Sequence, residues 1–227
     1  MLSHITEKIY LSSPVWIQNL LVSLYGALEH RRRYWGVFKR TWDELEHTES
    51  LSEPELRDLT NQRLTNILET AIRDVPYYRD FKLQAPNLAD FPLLDRNSVA
   101  ENVERLVSDK YNKDKLLTIY TGGSTGTPLK IYISKAVRQK TYAFWARFYK
   151  HMGFRIGEKK ASFVGRKVQD PSDNRSPFWR YNIVDNQLVF SSFHLTDENL
   201  ADYIEKLNRF KPKLIEGYPL SILGLAE

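Results

Sequence analysis

The feature that most constrains the fold is an alternation of strand-like and helical segments after residue 110. Residues 116–120 (LLTIY) and 129–133 (LKIYI) have the apolar, β-branched character of strands. Further along, the patterns predict a helix over 136–152, strands at 161–164, 187–190 and 213–215, and a helix over 197–210 that Thr196 caps. A strand–helix–strand order implies crossover connections and a sheet that is at least partly parallel. The predicted class is therefore α/β.

The first 110 residues predict helices instead. Residues 10–47 are typical of one or two aromatic-rich helices. Ser52-x-x-Glu55 forms a capping box that opens a helix ended by Pro76, and a further helix is predicted near Ser98–Val107. We predict a helical segment over 1–110, followed by part of a mixed or parallel sheet with flanking helices over 111–227.

Composition excludes several kinds of site. The chain has no cysteine, so disulfides, thiolate metal ligands and a cysteine nucleophile are excluded. Its five histidines have no metal-ligand spacing, and the formal net charge is only +5. Because no nucleic-acid-binding signature accompanies the basic clusters, we interpret them as solvated surface. No secretory signal is recognisable, and we expect a cytoplasmic protein.

The most apolar segment, Val15–Leu28, is too short to span a bilayer, which takes ~20 residues. Trp16 and Leu20 fall on one helical face, and Arg31–Arg33 follow, as in helices that lie on a membrane surface. A helix that packs on its own domain is the commoner arrangement, and it is the one we expect.

The strongest functional pattern is the loop between the first two strands. Residues 120–130 read YTGGSTGTPLK. Glycines let successive backbone N–H groups turn toward one anion, and hydroxyls add donors without negative charge. The loop therefore predicts a polyphosphate site formed by Thr121, Gly122, Gly123, Ser124, Thr125, Gly126, Thr127 and Pro128.

Three other interpretations of this loop were weighed. A Walker A loop would need a lysine after Gly126 and a following helix, and both are missing. Residues 122–126 fit the G-x-S-x-G pattern of serine hydrolases, but that serine belongs on a strand-to-helix turn, whereas LKIYI predicts a strand. A hairpin loop without a ligand stays open, although such loops usually need fewer glycines.

These residues carry a family resemblance. Thr121–Pro128 resembles the S-G-T-T-G-x-P phosphate loop of the adenylate-forming superfamily, with Gly122 at the usual serine position and Lys130 one place later than the usual lysine. The ordered segments that follow resemble the phenylacetate–CoA ligase-like branch, especially its capsular polysaccharide biosynthesis (CapK-type) group. They are V-P-Y-Y at 75–78, F-P-L-L-D at 91–95, S-S-F-H-L at 191–195, and K-P followed by G-Y-P over 211–219.

The resemblance implies an ATP-dependent, carboxylate-activating ligase. Such enzymes bind Mg·ATP, join a carboxylic acid to the α-phosphate and release pyrophosphate; coenzyme A often captures the acyl group. The implied role of Thr121–Thr127 is to hold the β- and γ-phosphates. No catalytic residue is assigned within the chain.

The last strand suggests a second site. Gly217 and Tyr218 follow it at its C-terminal end, where α/β sheets bind ligands, so they are candidates for the substrate pocket. His194 is a third candidate, although a lone histidine after a strand is more often structural.

The final helical pattern reaches Glu227 without a cap, and the superfamily's aromatic-x-x-[ST]-E segment and late lysine are not found. We therefore expect a natural chain that continues into a C-terminal half, and a chain that is catalytically incompetent alone. A truncated or degenerate relative that binds nucleotide or a partner without turnover is the alternative.

Overall fold

The computed structural model describes residues 4–83, 85–122 and 128–226. Its helices are α1 His4–Ser12, α2 Val15–Tyr34, α3 Phe38–Thr48, α4 Glu53–Asp74, α5 Pro76–Arg79, α6 Arg96–Glu101, α7 Lys135–His151, α8 Leu200–Phe210 and α9 Pro219–Ala226. Its strands are β1 Leu117–Tyr120, β2 Lys130–Ile133, β3 Lys160–Phe163, β4 Trp179–Asn182, β5 Gln187–Phe190 and β6 Leu214–Gly217. The predicted α/β class is confirmed.

The chain forms two compact units. The sheet unit comprises Met1–Trp35 with Trp145–Glu227, and the hairpin unit comprises Gly36–Phe144. The boundary predicted near residue 110 falls inside the hairpin unit and stays a prediction.

The sheet unit is built on four strands in the order β4-β5-β3-β6. β3 pairs in parallel with both β5 and β6, while β4 pairs antiparallel with β5. The chain passes from β5 through α8 to β6, and this is the parallel crossover that the sequence predicts. β4 is a strand that the sequence analysis missed.

The core of the sheet unit lies on one face of the sheet and is aromatic. Phe163 and Phe190 stack with their ring centroids 4.6 Å apart, and Tyr203 of α8 packs on both. Burial raises the pKa of the Tyr203 hydroxyl, which donates to the Ser191 carbonyl at 2.8 Å. Alternation along β5 directs Leu188 and Phe190 to this face.

Helix α2 covers the outer edge of the same sheet. Asn19 Oδ1 accepts from the Tyr181 amide at 2.9 Å, and Ser23 Oγ accepts from the Ile183 amide at 3.2 Å. An open strand edge exposes backbone groups that another chain can pair with, so side chains that satisfy them stabilise the fold. The helix does pack on its own unit as expected, but through polar residues.

The hairpin unit contains the capping box. The Ser52 amide donates to Glu55 Oε2 at 2.8 Å, which fixes the start of α4 as predicted. This helix ends at Asp74, and Pro76 opens the short α5. Most of α4 is solvent-exposed, Ile67 among its apolar residues, whereas Leu68 is buried.

The second feature of the hairpin unit is the antiparallel pair β1–β2. Its register runs from Leu117 opposite Ile133 to Tyr120 opposite Lys130. The strands therefore end next to each other where residues 121–129 connect them.

Two predicted helical regions have different bounds in the structure. Residues 10–47 contain the end of α1, all of α2 and most of α3, so one or two helices was an underestimate. The helix predicted at Ser98–Val107 is α6 at Arg96–Glu101, because Asp95 caps it by accepting from the Ser98 amide.

Thr196 does not cap α8, and that prediction was wrong. The Thr196 amide and the Asn199 side chain both donate to the His194 carbonyl, which makes residues 194–199 a turn. The helix consequently begins at Leu200.

None of the helices in the described part of the chain is both long enough and apolar enough to cross a membrane.

Candidate functional site

The base of the predicted phosphate loop is held by residues that extend the β1–β2 pair. The Thr121 amide donates to the Leu129 carbonyl at 3.0 Å, and the Leu129 amide donates to Thr121 Oγ1 at 3.1 Å. The Thr121 hydroxyl serves here as an acceptor, so its own proton can still be donated to a ligand. Thr121 and Leu129 thus extend the pairing of β1 and β2 by one residue each.

The two described residues nearest this base are open to solvent. Gly122 and Pro128 are both exposed, and a Cβ built on Gly122 meets no atom of the described residues within 4 Å. Gly123, Ser124, Thr125, Gly126 and Thr127 lie outside the described residues. The structure therefore gives Thr121, Gly122 and Pro128 at the end of the hairpin, and the phosphate role of the loop stays a prediction.

A charged cluster beside β2 involves Lys130. Glu104 accepts from Lys130 Nζ at 3.1 Å and from the Tyr132 hydroxyl at 2.7 Å, and Lys113 Nζ lies 3.2 Å away. The hydrogen bond from Tyr132, then those from the two lysines, lower the pKa of Glu104 to about 2. Lys130 is therefore already paired with a carboxylate. It also lies one place later than the lysine of the phosphate-loop pattern.

The carboxyl edge of the parallel strands forms a second candidate region, within the sheet unit. Gly165 follows β3 with φ +68°, Ser191 and Ser192 follow β5, and Gly217 ends β6. The Gly165 amide donates a hydrogen bond to Ser192 Oγ at 3.4 Å. Open α/β sheets bind ligands at this edge.

His194 is built into the core behind this edge. It is 2% exposed and stacks on Phe178 with centroids 5.4 Å apart. Its Nε2 lies 3.2 Å from the Asp170 carbonyl, which can only accept, so Nδ1 accepts from Ser191 Oγ at 2.7 Å. Both ring nitrogens are used internally, and the substrate contact proposed for His194 stays a prediction.

Gly217 has a packing reason for lacking a side chain. A Cβ at this position would lie 2.7 Å from Phe163 Cβ and 2.8 Å from the Phe163 carbonyl oxygen. Glycine thus allows the close approach of β6 to β3.

Tyr218 is the candidate whose side chain is accessible. Its amide is tied to the Phe163 carbonyl at 3.1 Å, while the residue is 60% exposed. A Cβ built on Gly165 would lie 2.9 Å from its ring, so the ring covers the turn after β3. Of the three predicted substrate-pocket residues, only Tyr218 presents its side chain to solvent at this edge.

A polar cavity of about 240 Å³ lies at the same edge, between the segment after β5 and helix α9. Hydroxyls and a carboxylate form much of its lining: Ser192, Thr196, Asp197 and Ser221. These residues were not predicted as a site from the sequence. The signal available was the run of polar residues in SSFHLTD directly after a buried strand.

A partly buried carboxylate joins β6 to its neighbours. Glu216 accepts from Ser162 Oγ at 2.7 Å and from the Tyr149 hydroxyl at 2.8 Å, and Lys160 Nζ lies 3.1 Å away. Burial by itself raises the pKa of Glu216, but the charge of Lys160 and these hydrogen bonds outweigh it and lower the pKa. The group is fully engaged, so it stabilises the sheet.

Within residues 4–83, 85–122 and 128–226, no three metal-binding side chains are grouped so that they could hold an ion.

Comparison with known proteins gives one informative relative. The chain is 30% identical over 227 residues to Protein CapK from Staphylococcus aureus, an alignment that covers 96% of this chain and 49% of that protein. No protein-family model matches, and no solved structure matches. The likeness to CapK-type proteins is confirmed, and the wider adenylate-forming assignment stays a prediction. The chain is related to Protein CapK along almost its whole extent and spans about half the length of that relative.

Proposed function

We propose that this chain is the nucleotide-phosphate-binding part of an ATP-dependent, carboxylate-activating ligase that forms acyl-adenylates. The observation that carries the proposal is the Thr121–Pro128 loop, with its three glycines and four hydroxyls, leaving a β-hairpin whose base is closed by Thr121 and Leu129. The later motifs, in their order along the chain, and the similarity to Protein CapK support it.

The loop suits a polyphosphate for two reasons. The open space around Gly122 lets an oxyanion approach the backbone, and the Thr121 hydroxyl retains a proton to donate. In the proposed role, the backbone amides and hydroxyls of Thr121–Thr127 hold the β- and γ-phosphates of Mg·ATP. Donors aimed at developing charge in this way are worth about 3–4 kcal/mol each in other enzymes.

The proposed reaction is the attack of a substrate carboxylate oxygen on the α-phosphorus of ATP. The new O–P bond forms the acyl-adenylate as the bond to the pyrophosphate oxygen breaks. The loop stabilises the negative charge that collects on the leaving pyrophosphate. Coenzyme A is the acceptor that the family resemblance suggests.

The acid is proposed to contact the sheet edge near Tyr218. The exposed ring and the neighbouring hydroxyls at the ends of parallel strands support this assignment. A role in assembling cell-surface polysaccharide, in the cytoplasm, is proposed from the CapK-type resemblance. A non-catalytic relative that binds nucleotide is the second candidate that we propose.

The test is carboxylate-dependent exchange of pyrophosphate into ATP by the complete gene product, with a panel of acids. We expect exchange with at least one acid, and its loss in Gly123→Val, whose side chain would fill the phosphate space. Exchange that Gly123→Val leaves unchanged would refute the loop assignment. Nucleotide binding without exchange for any acid would favour the non-catalytic alternative.

Reading the gene past codon 227 gives independent evidence. An aromatic-x-x-[ST]-E segment and a late lysine in that region would support adenylation. A stop codon directly after Glu227 would contradict it.

A further inference from the structure

Helix α2 is amphipathic, and its apolar side faces outward. At 3.6 residues per turn, one half of its surface carries almost only apolar side chains. Six of these side chains are exposed: Trp16, Leu20, Leu21, Leu24, Tyr25 and Leu28. The opposite half carries Gln18, Gly26 and Glu29, and these are buried. We call the exposed half the outer face of α2.

The helix is fixed in this orientation by its polar side. Asn19 accepts from the Tyr181 amide of β4, Ser23 accepts from the Ile183 amide just after it, and Gln18 accepts from the buried Arg180 guanidinium. Gly26 lies against Asn182 so closely that a Cβ there would be 2.3 Å from Asn182 Oδ1. Rolling the helix to bury its leucines would break these contacts and uncover the sheet edge, so the outer face needs another cover.

The outer face ends at a positive charge. The two acids of α1 and α2 are both neutralised, since Glu7 pairs with Lys167 and Glu29 pairs with Arg32 and Arg33. Arg31 is exposed at the C-terminal end of the face, with its guanidinium 5.6 Å from the centre of the Trp35 ring. A partner for this face is therefore apolar and carries negative charge at its surface.

Tryptophans mark both ends of the helix. Trp16 is 68% exposed in its first turn, and Trp35 is 67% exposed just after its end. Tryptophan is enriched where lipid headgroups meet the hydrocarbon, since its ring is apolar and its N–H polar. Leucines between two such rings, with arginines beside them, match a helix that lies flat in the headgroup region.

We infer that the outer face of α2 docks onto the surface of an anionic lipid bilayer. The leucines enter the acyl boundary, the tryptophan rings lie at the headgroup level, and Arg31 contacts lipid phosphates. The helix remains attached to β4 by its polar side throughout, so docking requires no rearrangement of the sheet. This attachment to a membrane is independent of nucleotide binding.

The test is co-sedimentation of the purified chain with phosphatidylcholine vesicles that contain or lack phosphatidylglycerol. We expect binding to the anionic vesicles, and Leu20→Ser with Leu24→Ser should weaken it at least about tenfold, because each exposed leucine loses its burial in lipid. Arg31→Gln should weaken it about fivefold, the usual effect of one basic residue near such a surface.

Matched controls separate docking from general stickiness. Leu93→Ser, at a leucine that is 98% exposed, and Arg63→Gln, at an exposed arginine of α4, should leave vesicle binding unchanged. All substituted residues are exposed, so the unfolding temperature should stay within a few degrees of that of the parent chain.

Two results would overturn the inference. One is a chain that does not bind anionic vesicles at low salt, or binds them equally well after the double leucine substitution. The other is a parent chain that self-associates in solution but does not bind vesicles, and whose self-association is abolished by the double leucine substitution. That result would assign the face to a second copy of the chain.

Discussion

The two units of the molecule use similar side chains in opposite ways. In the sheet unit, the hydroxyl-rich run after β5 is partly taken up by the fold: Ser191 is fully buried and bonded to His194, whereas Thr196 is exposed. In the hairpin unit, Thr121 closes the base of a loop whose described neighbours, Gly122 and Pro128, are exposed. Hydroxyl content alone therefore does not mark a site.

What distinguishes the units is where their polar groups find partners. Glu216, His194 and Arg180 in the sheet unit are each bonded within the protein, and His194 and Arg180 are also buried, so we interpret them as structural. At the end of the hairpin, the described residues Gly122 and Pro128 are instead exposed. Nucleotide binding at this loop stays a proposal, as does the contact of the acid with the sheet edge near Tyr218.

The largest expected effect tests whether the aromatic cluster holds the sheet unit together. Phe190→Ala should lower the free energy of unfolding by about 3–5 kcal/mol, because it removes a fully buried ring and leaves a cavity. Phe193→Ala, at a position 57% exposed, should change it by less than about 0.5 kcal/mol. Denaturant titration of both variants measures the difference, and equal losses would place the core elsewhere.

The second prediction asks whether His194 is structural. His194→Ala should cost about 2–3 kcal/mol of unfolding free energy, since Ser191 loses its acceptor and a buried space is left. Thermal unfolding provides the measurement. A variant of undiminished stability that binds its acid substrate more weakly would instead restore His194 to the substrate pocket.

The third prediction compares one glycine from each unit. Gly217→Ala should cost about 1–3 kcal/mol, because the new methyl group overlaps atoms of Phe163 that cannot move aside. Gly122→Ala should cost less than about 1 kcal/mol, since its methyl group enters open space. If the two variants unfold alike, the packing explanation for Gly217 is wrong.

The smallest expected effect concerns Glu104 and depends on pH. Its pKa is lowered from 4.5 to about 2 in the folded chain, chiefly by the hydrogen bond from Tyr132. A lowered pKa stabilises the fold at pH values above 4.5, and this stabilisation is lost as the pH falls toward 2. Glu104→Gln should therefore unfold at a lower temperature than the parent chain at pH 7, and the gap should close in acid. A gap independent of pH would contradict the ionic role of the cluster.

Some helices and strands could be predicted from the sequence and others could not, for physical reasons. The capping box at Ser52 and Glu55 and the apolar run of β5 are local signals, and both elements appear where they were predicted. β4 was missed because the alternation in WRYN is only four residues long and its polar side is the more buried one. Arg180 is buried and donates to Gln18 of α2, a partner that the strand's own sequence does not show.

The outward orientation of α2 was unpredictable for the same reason. Its apolar stripe indicates a core-facing helix, yet the backbone amides of β4 require the polar side of the helix. The loop at Thr121–Pro128 was recognisable because its glycines and hydroxyls are consecutive, whereas the cavity at Ser192, Thr196, Asp197 and Ser221 brings together separate segments.

The most direct test of the central claim is an equilibrium titration of the chain with Mg·ATP, run in parallel on Gly122→Ser and Gly123→Val. We expect saturable binding by the parent chain and no binding by Gly123→Val. Gly122→Ser should bind equally well or up to about tenfold more tightly, because the space at Gly122 admits a hydroxyl that can donate one more hydrogen bond. Equal affinity in all three proteins, or no binding by the parent chain, would contradict the assignment of this loop to nucleotide phosphates.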